Sequence, residues 1–498
     1  MEIKFQEKKL TCLQTLLRKT QSQEQTQELR VSDGMPDVGS VLGAWGQVIL
    51  RSKEWNGDTL LVSGGTMVSV QYIPEQGGAV QTLESWIPFQ QRWTLPQEQR
   101  DGKMLVQCSL KSVDARSTSA RKLMLRATVS VLLHAFAQEE KEYYVPDSVP
   151  EDVQLRTAIY PVLLPVEVGE KAFTMEESLP YPDRGIPPEK LIASFLQPEV
   201  TEWRILADKL VFRGTALMSV LWEGEDGTQG AWDFTIPFSQ YSELDADHGE
   251  EVRVVCWPVV TALEAELAQD RIQVKLGIVC QYVIQNRPLI TIVEDAYAPC
   301  RSVQFHRMPL CLPGILESKE QILHLQGSCP SEDTGFLKTM LLPQRIECRK
   351  QEDDAVVEVS VRMQAMCTDG AGEQHMHGLH WEDSIRMPMG DNCTLETSLW
   401  PVCLVLGSIM SGNLKLQGQL RLQMDTVMDT ELPMVTGLEI GELEEPDPNR
   451  PSIILRRAGN RSLWEIAKES GAILQDIRDA NDLDGEPQSD QMLLIPIR

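Results

Sequence analysis

The chain repeats itself at a domain-sized interval, and this constrains its fold more than any other feature. Residues 60–89 read LLVSGGTMVSVQYIPEQGGAVQTLESWIPF and residues 210–238 read LVFRGTALMSVLWEGEDGTQGAWDFTIPF. Ser69-Val70 matches Ser219-Val220, Gly77 matches Gly227, and Ile87-Pro88-Phe89 matches Ile236-Pro237-Phe238. A fainter third copy covers residues 355–388, with Val359-Ser360-Val361 and Met387-Pro388. Pro88 to Pro237 is 149 residues and Pro237 to Pro388 is 151. A solenoid repeats every 20–50 residues or so. A period this long is a whole domain, so the sequence predicts three copies in tandem. At about 150 residues per domain, 498 residues suggest three or four domains, in line with the repeat.

Each copy reads as β. Residues 122–134 (KLMLRATVSVLLH), 271–284 (RIQVKLGIVCQYVI) and 413–424 (NLKLQGQLRLQM) alternate apolar and polar at period two, as half-buried strands do. The expected fold is mainly β: three antiparallel sandwich-like or barrel-like repeats at 1–160, 161–300 and 301–440. Residues 21–27 (QSQEQTQ) are expected to be a turn, and 183–195 to hold a turn or two of helix. Residues 441–451 (GELEEPDPNRP) are too acidic and proline-rich to bury apolar surface and read as a semi-rigid linker.

Residues 452–498 lie outside the period. Ser462-Leu463-Trp464-Glu465 is a capping box, Leu463, Ile466 and Ala467 share one helical face, and Gly471 ends that helix. A second helix places Ile473, Ile477 and Ala480 inward, and strands at 453–455 and 492–496 flank the pair. The order is βααβ.

This stretch resembles the LysM domain, on Gly459, Ser462, Leu463, Trp464, Ile466, Ala467, Ile477, Asn481, Leu483 and Leu493-Leu494-Ile495-Pro496. The resemblance implies a module that binds N-acetylglucosamine glycans such as peptidoglycan or chitin. Its candidate glycan- or partner-binding residues are Gly459, Asn460, Arg461, Ser462, Leu463, Asn481, Asp482 and Leu483. The first loop, Gly459-Asn460-Arg461-Ser462-Leu463, is one residue longer than the family's Gly-Asp-Thr/Ser-Leu and lacks its Asp. Ser489-Asp490-Gln491 replaces the family's Pro-Gly-Gln. Both changes favour a protein partner, with Arg461 as a fork of donors for a carboxylate. The whole chain, β repeats followed by LysM, resembles the DUF3794 (SPOCS) proteins of spore-forming Firmicutes. Their clostridial LysM-containing members imply a non-enzymatic morphogenetic adaptor of the spore coat. Such an adaptor joins the coat basement-layer ATPase at the forespore surface, in the mother-cell cytoplasm.

Lys and Arg total 46 against 73 Asp and Glu, a net charge of −27. That argues against nucleic acid, whose binding needs clustered cations, and against anionic membranes. The first residues lack the apolar core of a signal peptide, and no run is long enough to insert in a membrane. Eleven cysteines, an odd number with no CxxC, are expected to be reduced thiols. No GxSxG, HExxH or P-loop is present, and no cofactor is implied. His375 and His377 fall on one strand face and His380 on the other. With Cys367 nearby they form a metal candidate, weighed against an exposed hairpin. Trp45, Trp55, Trp86, Trp93, Trp203, Trp222, Trp232 and Trp464 are expected to pack in cores or along strand edges. The leading expectation is the adaptor. The alternative is a glycan-binding protein of the cell wall or cortex, and a third, weaker class is an enzyme of wall turnover.

Overall fold

A computed structural model describes residues 2–97, 102–161, 163–182, 187–248, 251–352, 354–391, 393–402, 405–443 and 451–497. The first strand group is β1 (Glu2–Ile3), β2 (Phe5–Arg30), β3 (Val38–Asn56), β4 (Thr59–Pro74), β5 (Gln81–Thr94), β6 (Lys103–Ser119) and β7 (Lys122–Pro146). The second is β8 (Gln154–Pro161), β9 (Leu164–Pro180), β10 (Pro188–Leu206), β11 (Lys209–Gly224), β12 (Gln229–Glu243), β13 (Val252–Leu267), β14 (Arg271–Asn286) and β15 (Leu289–Tyr297). The third is β16 (Val303–Pro330), β17 (Gly335–Gln351), β18 (Asp354–Thr368), β19 (Gln374–Pro388), β20 (Thr394–Pro401), β21 (Leu406–Met410) and β22 (Asn413–Ile440). β23 (Ile453–Arg457), α1 (Leu463–Ser470), α2 (Leu474–Asn481) and β24 (Met492–Pro496) complete the chain.

The sheets are small, antiparallel and open; none closes into a barrel. Each group contains one three-stranded meander: β3-β4-β5, β10-β11-β12 and β17-β18-β19. Each also contains a second sheet in which the strand before the meander pairs with the group's last long strand. These are β2-β7-β6, β9-β14-β13 and β16-β22, the last with β20 and β21 on the far edge of β22. The inward rows explain why these segments are strands. Leu60, Val62, Val68 and Val70 on β4, Leu210, Phe212, Met218 and Val220 on β11, and Val357, Val361, Met363 and Ala365 on β18 are all fully buried. Each row steps by two, the pleat period.

Irregularities recur with the strands. A bulge interrupts β3, β10 and β17 between Val41 and Gly43, Leu191 and Ala193, and Phe336 and Lys338, opposite the same step of each central strand. A second bulge recurs on β2, β9 and β16 near Leu16, Val166 and Leu316. Bulges bend and twist a strand locally, so the groups share curvature as well as order.

The Ile-Pro-Phe signature also has a structural role. Phe89 pairs with Gly64 and Phe238 with Gly214 across the strands. A Cβ on Gly64 would meet the Ile49 carbonyl at 2.3 Å and the Phe89 ring at 2.8 Å; on Gly214 it would meet the Glu199 carbonyl at 2.1 Å and Phe238 at 2.5 Å. The phenylalanine therefore lies over a glycine that has no room for a side chain. In the third group the matching position is Val359, opposite Asp383. Pro88 and Pro237 face Gly65 and Thr215, six residues into their central strands, whereas Pro388 faces Asp354, the first residue of β18. Matching Pro388 to them displaces the register, and Glu382, opposite Ser360, is the residue in place.

Two expectations are corrected. Residues 21–27 are no turn: β2 runs straight through them, pairing Gln21 with Val131 and Gln27 with Leu125. An edge strand needs only backbone pairing, and its neighbour β7 supplies the apolar row. Residues 183–186 lie outside the described residues, and 188–195 belong to strand β10 rather than to a helix.

The groups pack as one body. One hydrophobic cluster joins the first group's core to Ile192, Leu221 and Val259 of the second and Met340, Leu342 and Met366 of the third. Buried and half-buried polar side chains cross the same seams. Gln281 bridges the backbone of Val106, accepting from its N–H at 2.9 Å and donating to its carbonyl at 2.7 Å. Lys338 donates to Asp233 at 3.0 Å, Arg421 to Glu199 at 2.9 Å, and Gln107 to the Leu399 carbonyl at 2.7 Å. Where the groups meet, a cavity of about 240 Å³ is lined by corresponding positions of each, including Val48, Pro198 and Pro343.

Candidate functional site: the C-terminal module and its seat

β23 and β24 pair antiparallel, with α1 and α2 packed beneath them. The Ser462 hydroxyl accepts from the Glu465 N–H at 3.3 Å, and Glu465 accepts from the Ser462 N–H at 2.9 Å, the reciprocal cap expected of this spacing. Gly471 closes α1 at φ 55, where lacking a Cβ removes the strain. Leu463, Ile466, Ala467, Ile477, Leu493 and Ile495 are buried. Ala480, expected inward, is exposed; Ala472 is buried and Leu474 partly buried instead.

The eight candidate residues are largely committed within the module. The Gly459 N–H donates to the Ser489 carbonyl at 3.0 Å, so the two altered loops hold each other. The Leu463 N–H donates to the Glu486 carboxylate at 2.7 Å. Arg461 pairs with Glu469 at 2.6 Å, and Arg456 reaches the same carboxylate at 2.7 Å. Arg461 thus already has a carboxylate of its own chain, unlike the partner-facing role expected of it. Asn481 clasps Leu494, donating to its carbonyl at 2.6 Å and accepting from its N–H at 2.7 Å. The Leu483 N–H donates to the Arg478 carbonyl, Asp482 caps α2 at φ 50, and Asn460 is exposed in its turn.

Sequence reasoning did not reach the seat on which the module rests. Trp464 donates from its indole N–H to Asp295 at 2.8 Å, and Lys468 donates to both oxygens of that carboxylate at 2.7 and 2.8 Å. Arg307 lies 3.4 Å from it. Tyr297 packs edge-on against Trp464, with ring centroids 4.9 Å apart, and its hydroxyl donates to the Ala472 carbonyl at 2.8 Å. Burial would raise the Asp295 carboxyl, but hydrogen bonds from Lys468 and Trp464 and the lysine's charge outweigh it and hold the group below its ordinary value. Trp464 and Lys468 are four apart, one turn of α1, and so face β15 together. Only that spacing was visible in the sequence; Asp295 lies more than 160 residues away.

The opposite face is bare. Ile453, Leu455, Met492 and Leu494 are 59, 61, 51 and 44% exposed. They sit on one face of the β23–β24 ribbon, where Leu455 pairs directly with Leu494. A contiguous apolar strip on a small module marks an interaction surface more often than chance exposure does. Comparison with known protein families, curated proteins and solved structures finds no match to this chain.

Proposed function

We propose that this protein is a non-enzymatic adaptor of spore-envelope assembly. Three tandem copies of one DUF3794-like β sandwich form its scaffold, and a LysM-like module forms its docking head. Support for the repeat reading comes from the common strand order and recurring bulges. Support for the module reading comes from the βααβ order on the residues that carry the resemblance. The observation that carries the docking role is the bare strip of Ile453, Leu455, Met492 and Leu494, held outward by a module fixed at Trp464 and Lys468. Such a strip suits a protein surface. N-acetylglucosamine needs converging hydrogen-bond groups, and those of Gly459, Leu463, Arg461 and Asn481 are engaged by Ser489, Glu486, Glu469 and Leu494. The partner is the coat basement-layer ATPase, met in the mother-cell cytoplasm at the forespore surface.

The test is binding of the full chain to the recombinant ATPase by calorimetry, with and without Leu455→Glu plus Leu494→Glu. Both positions are exposed, so the pair leaves the fold intact. The adaptor reading expects binding that the double substitution weakens by about tenfold or more, as for loss of a buried apolar anchor. Binding unchanged by the substitution would remove the strip from the account.

A further inference from the structure

Asp333, in the connection between β16 and β17, is a buried carboxylate with only 2% of its side chain exposed. Oδ2 accepts from Ser331 and meets His377 Nε2 at 2.6 Å. Oδ1 has no hydrogen-bond partner, and His375 Nδ1 stands 3.6 Å from it. Leaving a buried carboxylate oxygen unpartnered is costly. Cys367, fully buried at the end of β18, faces the same spot: the ligand atoms of Asp333, Cys367 and His377 lie within 4.8 Å of one another. The register explains the convergence. Cys367 pairs with His375 and Ala365 with His377, so both imidazoles project from the inward face of β19. His380 is exposed and takes no part.

The other two groups place different chemistry at these steps. Where the third has Cys367, His375 and His377, the first has Tyr72, Gln81 and Leu83, and the second has Trp222, Gly230 and Trp232. Tyr72, Leu83, Trp222 and Trp232 are buried members of hydrophobic clusters. Two groups therefore plug this end of the meander with large side chains. The third fills it with the Cys367 thiol at the margin of its hydrophobic core, two imidazoles and a buried carboxylate, and the last three are groups that a packed core does not need.

We propose that Asp333, Cys367, His375 and His377 form a binding site for one zinc ion. In a tetrahedral site with bonds of about 2.0–2.3 Å, ligand atoms stand about 3.3–3.8 Å apart, so Asp333, Cys367 and His377, within 4.8 Å of one another, need adjustments of only about an ångström, and His375, 3.6 Å from Asp333, turns in as the fourth ligand. One thiolate and one carboxylate neutralise the dication, which suits a buried position. The thiol and imidazoles select a borderline-soft metal over magnesium or calcium. Binding forms the Cys367 Sγ–metal bond and releases the thiol proton to solvent. His375, 47% exposed, gives the ion its way in. Asp369 and Glu373, whose ligand atoms also converge with His375, are not assigned to the site: Asp369 already accepts from the Ala371 and Glu373 N–H groups of its turn, and Glu373 is exposed.

The test titrates the full chain, stripped with chelator, with Co²⁺ and then Zn²⁺. One equivalent of Co²⁺ should give tetrahedral ligand-field bands and a thiolate-to-cobalt charge-transfer band, both removed by one equivalent of Zn²⁺. Cys367→Ser should abolish the charge-transfer band. His375→Gln, at an exposed position that leaves folding intact, should weaken Zn²⁺ binding by about tenfold or more against a chromophoric chelator. Absence of the charge-transfer band in the unsubstituted chain overturns the proposal, as does unchanged affinity in folded His375→Gln.

Discussion

At the residue scale, Asp295 and Lys468 decide whether the C-terminal module stays seated. Asp295→Ala removes the three hydrogen bonds that α1 donates to this carboxylate and leaves the Trp464 indole without its partner. Docking should weaken by about 1.5–3 kcal/mol, read as faster hydrogen exchange across residues 463–477 while the β body is unchanged. The pH dependence follows from the lowered Asp295 carboxyl. Its folded value lies below the unfolded value of about 3.9. The stabilisation is therefore complete above that pH and is lost as pH falls through the folded value. Exchange protection of the module, corrected for intrinsic rates, should drop below about pH 4, and Asp295→Asn should lack this step. Arg461→Ala should matter little. It loses a half-exposed pair with Glu469 worth about 0.2–1 kcal/mol. Its fork of donors had suggested a carboxylate on a partner, because nothing in the local spacing announced that the last turn of α1 would bring Glu469 back to it.

At the scale of elements, Gly64 and Gly214 test the account of the Ile-Pro-Phe signature. Gly64→Ala places a methyl 2.3 Å from the Ile49 carbonyl and against the Phe89 ring. It should destabilise the chain by about 1–3 kcal/mol or more, measured by chemical denaturation. If it is tolerated without loss, the glycine is not what seats the phenylalanine. The long alternating strands β4, β7, β11, β14 and β22 were legible because each buries one face and the pleat writes this into the sequence. The middle of β2 was not legible. Its glutamines are placed by backbone pairing with β7, to which Gln27 adds one side-chain bond to Ser85, and backbone pairing leaves no mark on side-chain pattern. The third copy's register was misjudged for a related reason. Val359 and Asp383 replace the glycine–phenylalanine pair that anchors the other two, so Met387-Pro388 offered a false match. The zinc-site residues were visible as a cluster, but not as a site: Asp333 joins them from another connection, with no motif to link it.

For the whole molecule, the period announced three similar groups but could not say how they pack. Buried Gln281 and Lys338 and half-buried Gln107 make pairings between groups that no local pattern encodes. Because one hydrophobic cluster takes side chains from all three, the β body should unfold in a single cooperative step, with circular dichroism and tryptophan fluorescence coincident. Separate transitions would indicate three independent cores. On this body the module is held by one side and bare on the other, and the central claim is that the bare side meets protein rather than glycan. Parallel titrations of the full chain with N-acetylglucosamine oligomers and with the recombinant basement-layer ATPase test it most directly. The account predicts saturable binding of the ATPase that Leu455→Glu plus Leu494→Glu weakens, and no saturable binding of the oligomers. Micromolar oligomer binding that survives the double substitution, with no binding of the ATPase, would contradict it.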